Sequence, residues 1–389
     1  MLICKNNIKQ NKNRSYISIP VNQPLLNGNE KKYLCQCIDT GWISSDGPFV
    51  KEFEQKLATY VGRNFGIAVC NGSVALDLAL ISLDLPKGSQ VIMPTFTIIS
   101  CAAAIVRAGL EPVVLDCDPD IWNMDATKIE SKITSKTKAI MVVHIYGLPV
   151  DMDPIIKLAH KYNLKIIEDA AEMLGQTYKG KKCGSFGNIS TFSFYPNKHV
   201  TTGEGGMVVT DDEELAKRCR SFRNLCFDSA RRYIHDDLGF NYRITNMQAA
   251  LGLAQLEKLD DTVIKKRFIG SYYTKLIKDL NLEKFVQIPL ARTDYAQNIY
   301  WVYGLVLKDN VKFSAIEIRN KLAERNIGTR AFFWPMHKQP ALKKIGLFEK
   351  EHCPNSEKLA ARGFYIPSGV ALTTEQMDIV IENLKEILK

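Results

Sequence analysis

A single lysine, Lys198, stands in the segment Ile189-Ser-Thr-Phe-Ser-Phe-Tyr-Pro-Asn-Lys198-His-Val-Thr-Thr-Gly203-Glu-Gly-Gly206. The segment reads as a strand, a turn with the lysine, a Gly-rich bend and a second strand. A lysine at a strand end can be desolvated, which lowers its pKa and makes it a usable amine nucleophile. The glycines permit positive φ and let backbone approach a ligand closely. Taken alone, a hairpin turn with a solvated lysine is the simpler reading, and nothing here fits a P-loop. Upstream, Ile166-Ile-Glu168-Asp169-Ala-Ala-Glu172 puts carboxylates at the end of an apolar strand. A buried Asp there needs a cationic or hydrogen-bonding partner. A protonated pyridine nitrogen would serve, because the carboxylate keeps it charged and the ring then works as an electron sink. Capping of a following helix explains the same residues equally well. A third segment, Cys70-Asn71-Gly72-Ser73-Val-Ala-Leu, reads as strand, polar turn and helix start. Free N–H groups at a helix start favour a phosphate, although capping by Asn71 or Ser73 is the simpler account.

Together the three segments say more than any one. A phosphate cradle, a carboxylate for a ring nitrogen and a lysine nucleophile follow one another along one α/β pattern. Those are the contacts that pyridoxal 5′-phosphate requires.

The elements that must position them are short apolar runs alternating with helical stretches. Strands are expected at Gln90–Met93, Pro112–Leu115, Ala139–Ile145, Lys165–Glu168, Ser190–Phe194 and Met207–Thr210, and helices at Val74–Leu83, Ile98–Ala108 and Pro154–Tyr162. Such alternation means βαβ units and a mostly parallel sheet buried on both faces. Ligands in such sheets bind beyond the C-terminal strand ends, where the three segments lie. From Thr245 to Ile277 the pattern is long, helical and charged; Tyr300–Leu307 reads as a strand and Thr374–Leu388 as a closing helix. The expected division is an N-terminal arm over 1–18, a large cofactor-binding α/β domain over 19–265 and a smaller C-terminal α+β domain over 266–389.

Composition narrows the function classes. Of 389 residues, 46% are hydrophobic and 24% charged, an ordinary globular balance. No apolar run approaches a membrane span, and Met1 to Ser18 lacks the apolar core of a signal peptide. A cytoplasmic protein is expected. The net charge of +9 suits an anionic small molecule, but the basic residues are scattered and follow no nucleic-acid-binding spacing. Ten cysteines, from Cys4 to Cys353, read as reduced thiols, several filling the core. Cys35 and Cys37 do not form CxxC, and the six histidines form no metal-binding pattern, so no metal is expected.

The chain resembles the DegT/DnrJ/EryC1/StrS family of pyridoxal phosphate-dependent sugar aminotransferases from about Ile19 to the C-terminus. The resemblance rests on Gly41-Trp-Ile-Ser-Ser-Asp-Gly-Pro48, Asn71-Gly-Ser73, Pro94-Thr-Phe-Thr97, His144-Ile-Tyr-Gly147 and Glu168-Asp-Ala-Ala-Glu172. It continues through Asn197-Lys198, Thr201-Thr-Gly-Glu-Gly-Gly206 and Gly239-Phe-Asn-Tyr-Arg-Ile-Thr-Asn246. It implies the aspartate aminotransferase (type I) fold and a homodimer with shared active sites. By the family pattern Lys198 carries the cofactor and Asp169 pairs with the ring nitrogen. Glu172 lies near the ring's O3′ side; Gly72, Ser73 and Ser193 hold the phosphate. Asn241 matches a residue that reaches the phosphate from the neighbouring subunit, and Arg243 could meet an anionic substrate group. Sugar contacts are expected from the Trp42 to Pro48 loop, Ser44 included, and from Arg330-Ala-Phe-Phe-Trp334-Pro-Met-His337.

One position departs from the pattern. The family usually carries Tyr, Phe or Trp after the threonine of Pro-x-x-Thr, where it stacks on the ring. Here that residue is Ile98, so either Ile98 covers the ring by apolar contact or Phe96 takes over. The implied reaction is ping-pong transamination: L-glutamate leaves its amino group as pyridoxamine 5′-phosphate, which passes it to C4 of a nucleotide-linked 4-keto-6-deoxy sugar, for a surface glycan. Relatives that remove the C3 hydroxyl instead have His at the lysine position. Here Lys198 occupies it and His199 merely follows, which favours transamination. A 3-aminotransferase, an aminotransferase for another cyclic ketone and a non-catalytic regulatory relative remain as alternatives.

Overall fold

Seven short apolar runs pair into one sheet in the computed structural model, which describes residues 18–227 and 230–389. The expected arm, up to residue 17, and Cys4 lie outside the described residues. The strands are β1 (Phe65–Val69), β2 (Gln90–Pro94), β3 (Glu111–Leu115), β4 (Thr137–Val143) and β5 (Lys165–Asp169). After a separate small hairpin of β6 (Thr177–Tyr178) and β7 (Lys181–Lys182) come β8 (Ile189–Ser193) and β9 (Gly206–Thr210). The spatial order is β1-β9-β8-β5-β4-β2-β3. Strands β3, β2, β4, β5 and β8 pair in parallel, and β9 runs antiparallel between β8 and β1. Six of the seven strands therefore point the same way, and their C-terminal ends share one edge.

Helices cover both faces. Gly72–Leu83, Ile99–Arg107 and Glu213–Arg223 pack on one; Pro48–Val61, Met152–Tyr162 and Asn246–Leu256 pack on the other. The helix Gly72–Leu83 is apolar nearly all round and is buried accordingly. Leu78 and Ile67 are fully buried in this layer, each stabilising it by about 1.5–3 kcal/mol. Arg107 reaches Asp77 at 2.6 Å and ties the next helix to it.

A second, antiparallel sheet is built from β10 (Val286–Gln287), β11 (Tyr303–Leu307), β12 (Arg330–Ala331) and β13 (Gly363–Ile366), in the order β10-β11-β13-β12. It shares a core with the helices Leu259–Asp279, Ala315–Ala323 and Thr374–Leu388. Leu259 and Val263 belong to a core of the first sheet, and Ile269, Tyr273 and Ile277 to this one. The division expected at 265/266 falls inside that helix.

Two elements differ from expectation. The Thr245 to Ile277 stretch is two helices, Asn246–Leu256 and Leu259–Asp279. The second strand of the C-terminal part starts at Tyr303, because Tyr300 takes a φ of 50° and breaks the extended run. Among the described residues no helix is long and apolar enough to cross a membrane. The nine described cysteines are unpaired, and seven are buried.

Candidate active site

The carboxyl ends of the parallel strands open on a cavity of about 910 Å³. Lys198 enters it from the turn after β8, which is closed by its own N–H donating to Tyr195 O at 2.9 Å. Its Nζ lies 3.9 Å from Glu172 Oε1 and 3.9 Å from the centre of the Trp301 ring. Burial lowers the pKa of this amine, and the Glu172 and Asp169 charges oppose the shift.

Strand alternation separates the two adjacent carboxylates of β5. Glu168 faces away from Lys198 and accepts from Gly184 N, Phe186 N, Gly187 N and Ser190 Oγ at 2.5–3.1 Å. His144 Nδ1 accepts from Val150 N at 3.0 Å, so its Nε2 carries the proton that it donates to Glu168 at 3.2 Å. Burial alone would raise Glu168; these donors, His144 foremost, outweigh it and hold the carboxyl below its ordinary value. Cys183 lies beside this pair, but with the carboxylate so fully occupied the cluster reads as a structural tie.

Asp169 ends the strand and lines the cavity. Its Oδ1 accepts from Ala171 N at 3.0 Å and its Oδ2 from the Cys101 thiol at 3.4 Å. Burial pushes its carboxyl above the ordinary range. Glu172 accepts from Tyr146 N at 2.7 Å, and burial pushes it up to about 8. Two buried carboxylates facing one amine form a site short of positive charge.

The third segment forms a cradle. Asn71 caps its helix by accepting from Val74 N at 3.0 Å. The N–H groups of Gly72 and Ser73 find no acceptor among the described residues. Ser73 Oγ meets Ser100 Oγ at 2.8 Å across two helix starts. A Cβ on Gly72 would lie 2.9 Å from Ser193 Oγ, so the serine sits directly against the helix end. A Cβ on Gly206 would meet Asn71 O at 2.5 Å and Gly72 N at 2.9 Å. Those are backbone atoms and cannot swing aside. Gly206→Ala should therefore cost about 1–3 kcal/mol, read as a lower thermal midpoint, and should weaken cofactor retention. An unchanged midpoint would mean that the bend need not lie flush with the helix.

This arrangement suits pyridoxal phosphate: unpaired N–H donors for a phosphate, a desolvated lysine amine, and a buried carboxylate in need of a cation.

Of the residues singled out from sequence, Gly72, Ser73, Ile98, Asp169, Glu172, Ser193, Lys198 and Arg330 line the cavity. Ile98 is 44% exposed, whereas Phe96 is fully buried against Tyr146, Phe332 and Phe333. The side chain offered to a ring is thus Ile98. Trp42, Ser44, Asn241, Arg243, Trp334 and His337 do not line it. Arg243 instead borders a separate pocket of about 170 Å³ with Ser45, Asp46, Arg220 and Arg223. The Trp42 to Pro48 loop is held beside it by Asn246, which donates to Trp42 O and Ser44 O and accepts from Phe49 N. Trp334 is exposed and donates to Lys338 O. His337 is buried, with Nδ1 on Thr95 Oγ1 at 2.7 Å and Nε2 on Glu357 at 2.9 Å. Trp301 meets Lys198, Cys101 meets Asp169 and Tyr365 lines the same cavity, and no motif marked them.

A model of the DegT/DnrJ/EryC1/StrS aminotransferase family matches residues 24–385. The chain belongs to that family. It is accordingly a pyridoxal phosphate-dependent sugar aminotransferase. It is 44% identical over 368 residues to the GDP-perosamine synthase of Escherichia coli O157:H7, covering 95% of this chain and 98% of that one. It is 41% identical to the GDP-perosamine synthase of Caulobacter vibrioides, covering 95% of this chain and 98% of the relative. The solved Helicobacter pylori aminotransferase PseC superposes with a TM-score of 0.90 at 23% identity, over 95% of this chain and 99% of that one, which supports the fold.

Proposed function

We propose that this enzyme transfers the amino group of L-glutamate to C4 of a GDP-linked 4-keto-6-deoxy sugar, yielding a 4-amino-4,6-dideoxy sugar for a surface glycan such as an O-antigen. The observation that carries the reaction is the convergence of a desolvated lysine, two buried carboxylates and an open helix start in one cavity. The similarity to two proteins named GDP-perosamine synthase supports the sugar and the nucleotide.

The cofactor, when bound, supplies the carbonyl that takes up and passes on the amino group, and a conjugated ring that acts as an electron sink. Lys198 anchors it and, once free, takes a proton at Nζ from the amino donor and returns it. Glu172, 3.9 Å away and raised by burial to about 8, faces the same amine and stabilises positive charge on it when ionised. Asp169 would pair with the ring nitrogen and keep it charged. Gly72 and Ser73 N–H and the Ser193 hydroxyl would hold the phosphate, and Ile98 would cover the ring by apolar contact. Arg330, which lines the cavity, would meet the sugar, and His337 anchors the segment that carries it through Thr95 and Glu357.

Trp42, Ser44, Asn241 and Arg243 lie outside this cavity on their own chain. They serve the cavity of a second copy, which makes the working enzyme a homodimer with shared sites. The unpaired thiols fit a reducing compartment, the cytoplasm.

Incubation with L-glutamate and GDP-4-keto-6-deoxymannose should give 2-oxoglutarate and a sugar nucleotide whose new amine is at C4 by NMR. An amine at C3, or turnover with dTDP-linked sugars alone, would overturn the substrate assignment.

A further inference from the structure

Behind the cavity wall lies a lysine that the reaction does not use. Lys266, on the helix Leu259–Asp279, is 3% exposed. Its Nζ donates to two backbone carbonyls, Trp301 O at 2.7 Å and Ser368 O at 2.5 Å. No carboxylate pairs with it among the described residues. A buried ammonium without a counter-ion is costly, whereas a neutral amine has two N–H groups for its two acceptors. Burial pushes this lysine down to about 7.

The two acceptors occupy a telling place. Strands β11 and β13 pair antiparallel, Tyr303 opposite Ile366. Two residues further out along that register, Trp301 stands opposite Ser368, just beyond the last rung of the ladder. There the carbonyls would otherwise splay, and both residues line the cavity. Ser368 Oγ also accepts from Tyr303 N at 3.3 Å. Lys266 thus fastens the cavity-facing end of the second sheet to the helix that joins both cores. The far end of Trp301 is fixed as well: its Nε1 donates to Asn197 O at 2.9 Å, one residue before Lys198. Held at both ends, the ring presents its face to Lys198 Nζ at 3.9 Å.

We propose that Lys266 is a positioning residue that clamps Trp301 and Ser368 together and so holds the Trp301 ring against Lys198. The ring face stabilises positive charge at that nitrogen in a desolvated site. His199, which follows Lys198 in the chain, stays neutral there: burial above all pushes it down to about 3, and its Nδ1 meets Leu174 O at 2.9 Å. It cannot substitute for the clamp.

The inference rests on Lys198 anchoring the cofactor, a reading tested separately by loss of the visible absorbance in Lys198→Ala. The readout is a pH titration of that absorbance in the holoenzyme. Trp301→Leu should lower the titration midpoint by about half a pH unit or more, because charge at the Lys198 nitrogen loses its ring partner. Lys266→Met keeps the chain length and removes the donors; it should lower the midpoint in the same direction. The double variant should titrate no lower than the larger single shift, since both act through one contact. Lys266→Gln keeps two N–H donors without charge and should restore the midpoint towards that of the wild type. It also carries the test if Lys266→Met does not fold. A wild-type midpoint in Lys266→Met or Trp301→Leu, additive shifts, or no recovery with Gln would overturn the proposal.

Discussion

The Lys198→Ala protein is expected to bind its cofactor without the visible absorbance of the anchored form and to lose about 10⁴-fold in kcat, the upper end of what a positioned acid–base group supplies. Two functions vanish with one amine: the covalent anchor and the proton carrier. The fold should survive. Lys198 sits in a turn whose closing bond, Lys198 N to Tyr195 O, is backbone and remains. The carboxylates left behind are tolerable: burial already raises Glu172, Tyr146 N still donates to it, and Ala171 N and Cys101 still serve Asp169. Absorbance spectra and steady-state rates with glutamate and the keto sugar decide the matter. Normal turnover would remove Lys198 from the centre of the mechanism. A lost absorbance with ordinary turnover would mean that the amine is only an anchor.

The sequence made the first sheet legible for a physical reason. Strands buried on both faces must be continuously apolar, so β2, β3, β4, β5, β8 and β9 stood out within two residues of their observed bounds. The break at Glu257–Lys258 was not legible. No glycine or proline marks it, and residues on both sides favour helix. Tyr300 is another case: a tyrosine at φ 50° carries no sequence signal, and packing against Tyr303 and the face of Gly270 sets it there. In the site, Lys198, Asp169 and Gly72-Ser73 could be read because each sits at a strand end or helix start with local meaning. Trp301 could not, since it lies more than a hundred residues from Lys198 and meets it only through the second sheet. His337 shows the opposite limit. Its place in an Arg–Trp–His segment suggested a sugar contact, yet its partners Thr95 and Glu357 come from two other parts of the chain, and both its nitrogens are taken.

Asp169→Asn separates catalysis from stability in opposite directions. Asparagine keeps the shape and an oxygen for Ala171 N, but it removes the charge that would face a ring nitrogen. Without that counter-charge the electron sink weakens, and kcat should fall by about 10²–10³-fold, the scale of one lost electrostatic contact in a closed site. The apo-protein should respond differently. Burial raises the Asp169 carboxyl above its ordinary value, so the folded state prefers the protonated form. Above the carboxyl's folded pKa the ionised side chain therefore costs stability, and that cost disappears as pH falls below the unfolded carboxylate range. The uncharged amide of the variant carries no such cost. The variant's thermal midpoint without cofactor should equal or exceed that of the wild type at pH 8, and the gap should close towards pH 4. Added cofactor should reverse the order, because only the wild-type carboxylate gains a cationic partner. A variant that is less stable without cofactor at pH 8, or one that turns over normally, would show that Asp169 serves the fold and not the ring.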